Sequence, residues 1–249
     1  MAAPRKENRV SHLSWDAVSE RLAAGAPAFL PVGAGAKQHG LHLAMKSDQI
    51  QAEWLASCIA DEAEGLIWPT LTYGFYPAFE AYAGSVSLSA TAFEHLVLDI
   101  TGGLLSWCRS QVFVLDTGIS TQPIIARALA RTVDPLRCHH IKIYDGPRFR
   151  ETAQCVSEQP HGSHADEIET SLMLALVPEL ADMTRAMNSP QLPGGVEEGP
   201  LTPTDAASPN YSPSGSFGFP QLATAEKGRA LLAALEADAL ATVRAALGR

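Results

Sequence analysis

Residues 29–48 read FLPVGAGAKQHGLHLAMKSD. A short apolar run ends in a turn rich in glycine and alanine, and His39, His42 and Asp48 follow close behind. A strand that delivers a loop of metal-ligating side chains has this order. Lys37 stands apart in it, a cation beside residues suited to holding a cation. Whether the loop holds two metal ions, one or none sets the chemistry of the protein.

Outward from this loop, the spacing predicts strands alternating with helices. Residues 28–32 read as a buried strand, and residues 47–62 as a helix with Ile50, Trp54, Leu55, Cys58 and Ile59 on one face. An earlier helix is expected over 14–24, with Ser14 as its cap. Residues 65–73, 111–115 and 140–144 read as further strands, the first limited by Pro69. Helices are expected over 89–110, 122–131 and 167–180, and another opens at ATAEKG, residues 223–228. This alternation implies right-handed βαβ units: an α/β fold, one domain over 1–249, with a mostly parallel sheet flanked by helices. The first dozen residues read as flexible. Residues 188–220, rich in proline, glycine and serine, form a long loop of the kind that is functional or mobile.

With 249 residues, the chain is long enough to bury a sizeable core in one domain. Its 46% hydrophobic and 18% charged residues are ordinary for a soluble globular protein. A net charge of −9, without a lysine/arginine cluster beyond Arg5 and Lys6, argues against nucleic acid or an anionic membrane as partner. The four cysteines are widely spaced and read as buried thiols of a reducing compartment. With no apolar leader and no run of membrane-spanning length, a cytoplasmic protein is expected.

A second polar cluster, HGSHADEIETS at 161–171, brings His164, Asp166, Glu167 and Glu169 together. At a helix start His164 and Glu167 share a side, a spacing suited to one metal centre. The same acids serve equally as first-turn partners of the helix dipole. Asp116, Thr117, Ser120 and Thr121 follow the third strand, where α/β folds place their ligand crevice. Thr117 and Ser120 are candidate substrate contacts there, or an ordinary turn and cap. Tyr73, Phe75, Tyr76, Phe79 and Tyr82 wall a pocket or simply pack, and Tyr76 is a third candidate substrate contact. His139 and His140, just before a strand, read as structural.

Four stretches together resemble the creatininase (creatinine amidohydrolase) family. The opening loop matches PVG-x-x-EQHGPHLP-x-x-TD at Pro31, Val32, Gly33, Gln38, His39, Gly40, His42, Leu43 and Asp48, with Lys37 in place of the glutamate. His164, Ala165, Glu167, Glu169, Thr170 and Ser171 match HAGE-x-ETS, and GSFGFPQLATAEKG matches a late family segment. Residues 73–89 give a weaker fourth match. The resemblance implies the creatininase fold, a hydrolase acting on a C–N bond of a cyclic amide or related small molecule, and a homo-oligomer, commonly a hexamer. It also implies two divalent ions. One would need Lys37, Asp48 and Thr117, of which only Asp48 suits a metal. The other would need His39, Asp48 and Glu167, all present. Both losses fall on the same ion, so one zinc or manganese ion per chain is expected, with His164 as acid/base and Lys37 as electrostatic substitute. His42 then supports the ligands from behind.

Two alternatives stay open: no metal at all in a binding protein that keeps the pocket, or a non-hydrolytic acid/base enzyme using Lys37 and His164. Creatinine is not the expected substrate, because Lys37, Thr117, Ala78 and Phe79 all depart from the family pattern.

Overall fold

The computed structural model describes residues 7–189 and 199–249. In chain order it contains α1 (Trp15–Ala23), β1 (Ala28–Val32), α2 (Ser47–Ala63), β2 (Leu66–Ile67), α3 (Ala90–Trp107) and β3 (Val112–Asp116). The second half contains α4 (Gln122–Ala130), β4 (Cys138–Lys142), α5 (Pro147–Val156), α6 (Glu167–Leu176) and α7 (Ala225–Leu247). All four strands pair in parallel in the order β2-β1-β3-β4. Ala28 pairs with Val112, Val32 with Asp116, and Val112 with Cys138.

Strands β1 and β3 are buried along their whole length because helices cover both faces of the sheet. Side-chain alternation sends Phe29, Phe113, Leu115 and Ile141 to one face, where they meet α2, α5, α6 and α7. Leu30, Val32, Val112 and Val114 go to the other, against α3 and α4. Helices α6 and α7 touch closely: a Cβ on Gly228 would collide with the carbonyl of Ser171. Because β1 turns to β2 on one side and lies against β3 on the other, a switch point opens at the carboxyl ends of β1 and β3. Ligands of open α/β sheets bind at that place.

Several expected elements differ from those found. The strand over 65–73 shrinks to Leu66–Ile67. Trp68 and Leu71 still donate to Phe29 and Pro31, but Pro69 has no N–H to continue the ladder. The last strand lies two residues early, at Cys138–Lys142, and residues 143–145 form a short 3-10 turn. Helix α6 stops at Leu176, since Pro178 forces Val177 out of the helical region. Helix α5 was not anticipated; it opens on Pro147 and packs Phe149, Ala153 and Val156 on the core. From Asn8 onward the expected flexible start is tied down, with its carbonyl accepting from Ile67 N and its amide donating to Asp61 Oδ1 at 2.9 Å. The long loop expected over 188–220 falls partly outside the described residues. Its later part is anchored by Tyr82 Oη to Ser212 O (2.7 Å) and Gln38 Nε2 to Gly215 O (2.9 Å).

Candidate active site

The loop after β1 doubles back onto the first turn of α2. Gly33 permits this, because a Cβ there would strike the Asp48 carbonyl. The result places Lys37 Nζ 2.7 Å from Asp48 Oδ2 and His39 Nε2 2.9 Å from Asp48 Oδ1, all three side chains being buried. His39 Nδ1 lies 2.9 Å from the Lys37 carbonyl. The ammonium also rests over the rings of Phe79 (4.9 Å) and Tyr76 (5.7 Å). Burial alone would push the Asp48 carboxyl up, but Lys37 and then His39 outweigh it and hold it below the usual carboxylate range.

The second half of the site comes from the turn into α6. His164 Nε2 donates to the Gln38 carbonyl at 2.9 Å, which leaves Nδ1 presenting its lone pair 3.6 Å from Glu169 Oε2. Ala165, at φ 44°, makes the reversal between them, and its N–H donates to Glu169 Oε2 at 2.6 Å. Burial pushes His164 well below the ordinary histidine value, and Lys37 and His39 add to the effect, so it is neutral near pH 7. Burial pushes Glu169 up to about 7, against the pull of His39 and Lys37.

Thus the structure gathers Lys37, His39, Asp48 and His164, as the sequence suggested, but not Glu167. That carboxylate is fully buried on the other side of the helix start. It accepts from Lys227 Nζ, Glu158 N (2.9 Å) and Gln159 N (2.8 Å). Glu169 stands near His39 and His164 instead, the donor atoms of these three lying within 4.8 Å of one another. A sequence signal for this existed. Asp166 caps α6 by accepting from Ile168 N and Glu169 N, and a D-x-x-E capping pattern turns its glutamate back toward the chain entering the helix.

Thr117, Ser120 and Tyr76 line the same cavity, about 890 Å³ in volume, together with Lys37, His164 and Glu169. The Thr117 hydroxyl donates to Val32 O (3.2 Å) and the Ser120 hydroxyl to Phe75 O (2.6 Å), while the buried Tyr76 hydroxyl meets no hydrogen-bond partner among the described residues. His42 stands back from the cavity, its Nε2 2.8 Å from the Thr170 hydroxyl. Asp116 is held by Gly118 N, Thr121 Oγ1 and His140 Nε2, so His140 braces the loop that carries Thr117. His139 pairs with Gln111 Oε1 at 2.9 Å. Among the described residues, no helix is long and apolar enough to cross a membrane.

The family model for creatininase, described as creatinine amidohydrolase, matches residues 11–243. The chain belongs to the creatininase family. It is 26% identical over 242 residues to a creatinine amidohydrolase of Pseudomonas putida, covering 90% of this chain and 91% of that protein. It is 28% identical over 249 residues to a mycofactocin precursor peptide peptidase of Mycobacterium tuberculosis, covering 91% of this chain and 88% of that protein. Among solved structures, a tryptophan-to-alanine mutant of creatininase superposes with a TM-score of 0.85 at 24% identity, over 98% of this chain and 100% of that one. A manganese form of creatininase superposes at 0.82 with 23% identity, over 98% and 100%. These family members are hydrolases, amidohydrolase or peptidase, and the solved creatininases include manganese and zinc forms.

The donor set of this creatininase-family chain suits a divalent ion at one position. Both ring nitrogens of His39 face oxygens that only accept, the Lys37 carbonyl and the Asp48 carboxylate. A neutral imidazole would then oppose a lone pair to an oxygen at 2.9 Å. His39 and Asp48 would be able to hold a divalent ion there, and a bound cation would relieve that opposition. An imidazole that donates its far N–H to a backbone carbonyl has the arrangement usual for metal-ligating histidines. Beside Lys37 and Thr117 the donors do not suit a second ion, because an ammonium already neutralises Asp48 Oδ2.

Proposed function

We propose that this protein hydrolyses a C–N bond of a small amide with the help of one divalent metal ion, zinc or manganese, held by His39, Asp48 and Glu169. The observation that carries this reading is His39, whose two ring nitrogens both face acceptors within 2.9 Å. Glu169 takes the part that the sequence pattern assigned to Glu167, whose carboxylate is committed to Lys227. The amidohydrolase and peptidase relatives support amide cleavage as the reaction class.

A divalent ion bound there supplies Lewis acidity, polarising a carbonyl oxygen and activating water. The chain's own residues do the rest. His164, neutral and with Nδ1 free, takes a proton from the attacking water and returns it to the leaving nitrogen. Its Nε2 bond to the Gln38 carbonyl fixes the ring for that transfer. Lys37 replaces a second cation beside Asp48 and offers positive charge at the cavity wall, where a carbonyl oxygen becomes negative. Thr117, Ser120 and Tyr76 border the substrate. Creatinine is not the substrate of this reading, and its turnover in a direct assay would overturn that part.

Metal analysis of protein purified without chelator tests the proposal, with about one ion per chain expected. Amide hydrolysis should disappear in chelator and return with manganese or zinc. Protein that holds no metal and gains no activity from it refutes the reading. A second reading, metal-free acid/base chemistry by Lys37 and His164, draws on the completed Lys37–Asp48 pair at 2.7 Å. It requires turnover that persists in chelator and is lost in Lys37→Met.

A further inference from the structure

We propose that the amide cleaved here carries, next to the scissile bond, an uncharged aromatic or branched apolar group that this cavity takes up. The inference rests on the hydrolase reading for where the scissile bond lies, at the end marked by Lys37, His164 and Glu169. It rests on the rest of the cavity for the flanking group. A cavity of about 890 Å³ falls in the range that encloses drug-sized ligands, and a small ring amide would leave most of it filled with water. Its other walls include Phe75, Ile119, Phe149, Ile168, Leu201 and Phe217.

Charge narrows the class further. Among the described lining residues Lys37 is the only lysine or arginine, and its ammonium is already paired with Asp48 at 2.7 Å. An anionic flanking group would therefore enter without a counter-ion, at the cost of its lost hydration. For a cationic group the available charge lies away from the flanking walls. Glu169 stands at the reacting end beside His164, and the Asp166 carboxylate is turned to Ile168 N, Glu169 N and Gln159 Nε2, so the lysine amide is the probe that decides this point. Apolar and aromatic groups gain from the same walls by leaving water. Ile119, 67% exposed, sits where such a group would enter.

The test uses the full chain in chelator, so that no probe is consumed, and measures binding by calorimetry. The probes are the N-acetyl amides of phenylalanine, leucine, glycine, aspartate and lysine, which share one backbone and differ in the flanking group. The phenylalanine and leucine amides should bind about tenfold tighter than the glycine amide, the scale expected for one buried apolar side chain. The aspartate and lysine amides should bind no tighter than glycine. Ile119→Ala and Phe217→Ala should each erode the preference; the first changes only a surface side chain, so the test survives if the second fails to fold. Equal binding of all five, tighter binding of a charged amide, or no binding of the phenylalanine amide overturns the inference. The hydrolase reading fails separately, if metal-loaded protein prefers the phenylalanine amide yet leaves it intact.

Discussion

Replacing Lys37 by methionine would separate the two tasks assigned to this residue, holding the site together and keeping a second ion out. The side chain is 7% exposed and its partner Asp48 is 1% exposed, with 2.7 Å between Nζ and Oδ2. Methionine keeps most of the stem that lies over Phe79 and Tyr76, so the packing loss is small and the charge loss dominates. Removing one partner of a buried pair costs about 3–5 kcal/mol, because the remaining charge is stranded. In a domain of this size each kcal/mol moves Tm by about 2–4 °C, so a fall of roughly 6–20 °C is expected in chelator. Acid should narrow the gap. Asp48 is held below its ordinary 3.8 in the folded state, so its contribution is full above that value and is lost as pH falls through the lower one. Manganese or zinc should narrow it too, since an ion restores positive charge to Asp48; saturation at about 100 times Kd returns about 2.7 kcal/mol. Urea denaturation at pH 7, with chelator and with metal, measures all of this. A variant within about 0.5 kcal/mol of wild type in chelator would refute the structural role of the pair, since surface changes have that scale. Equal stabilisation of both proteins by metal would refute any competition between Lys37 and an ion.

Two further predictions concern neighbouring residues. Glu169→Gln should abolish metal retention and turnover with little loss of stability. Glu167→Gln should keep the metal but lose about 3 kcal/mol, because Lys227, Glu158 N and Gln159 N all converge on that carboxylate. Metal content and denaturation midpoints of the two proteins decide it, and the reverse pattern would return the ligand role to Glu167. His42 is pushed down to about 4 by burial from an ordinary 6.5, so its contribution is complete above 6.5 and is lost as pH falls through 4. About 3 kcal/mol of stability should drain across that window, and His42→Gln, which can still bond Thr170, should flatten it; an unchanged pH profile in the variant would refute the assignment.

Local patterns carried most of what the sequence made legible. The unbroken apolar runs of β1 and β3, each five residues long and bounded by turn residues, suit strands buried on both faces, and both lie within a residue of the expected positions. Lys37, His39 and Asp48 were legible for a similar reason: a strand, a loop and the first turn of α2 bring them together without help from the rest of the chain. Strand β4 slipped by two residues because its register is set by pairing with Val112–Asp116, which the apolar pattern of its own segment does not encode. Glu167 was misplaced because a shared helical face for His164 and Glu167 supposes that both lie on the helix. The helix begins only after Asp166, and the turn at Ala165 swings His164 off that face. Lys227, sixty residues further on, then claims Glu167, and no local pattern announces a partner so distant.

The paired change at Lys37 and Thr117 bears on what kind of catalyst can remain. An ammonium brings one positive charge and three N–H donors, but it accepts no lone pair. It can therefore neutralise Asp48 and meet a developing oxyanion, yet it cannot bind water as a ligand or lower its pKa as a metal does. The Thr117 hydroxyl donates to Val32 O at 3.2 Å, and neither it nor the Lys37 ammonium offers the carboxylate or imidazole donor that would hold a second divalent ion. In the proposed reading Lys37 would supply the positive charge of a second cation beside Asp48 without its Lewis acidity. The proton would then be carried by His164, whose Nε2 is tied to the Gln38 carbonyl and which burial keeps neutral near pH 7. On that reading the chemistry would be that of a single-ion hydrolase with an imidazole acid/base, with His39, which faces acceptors on both sides, among the residues that would hold the ion.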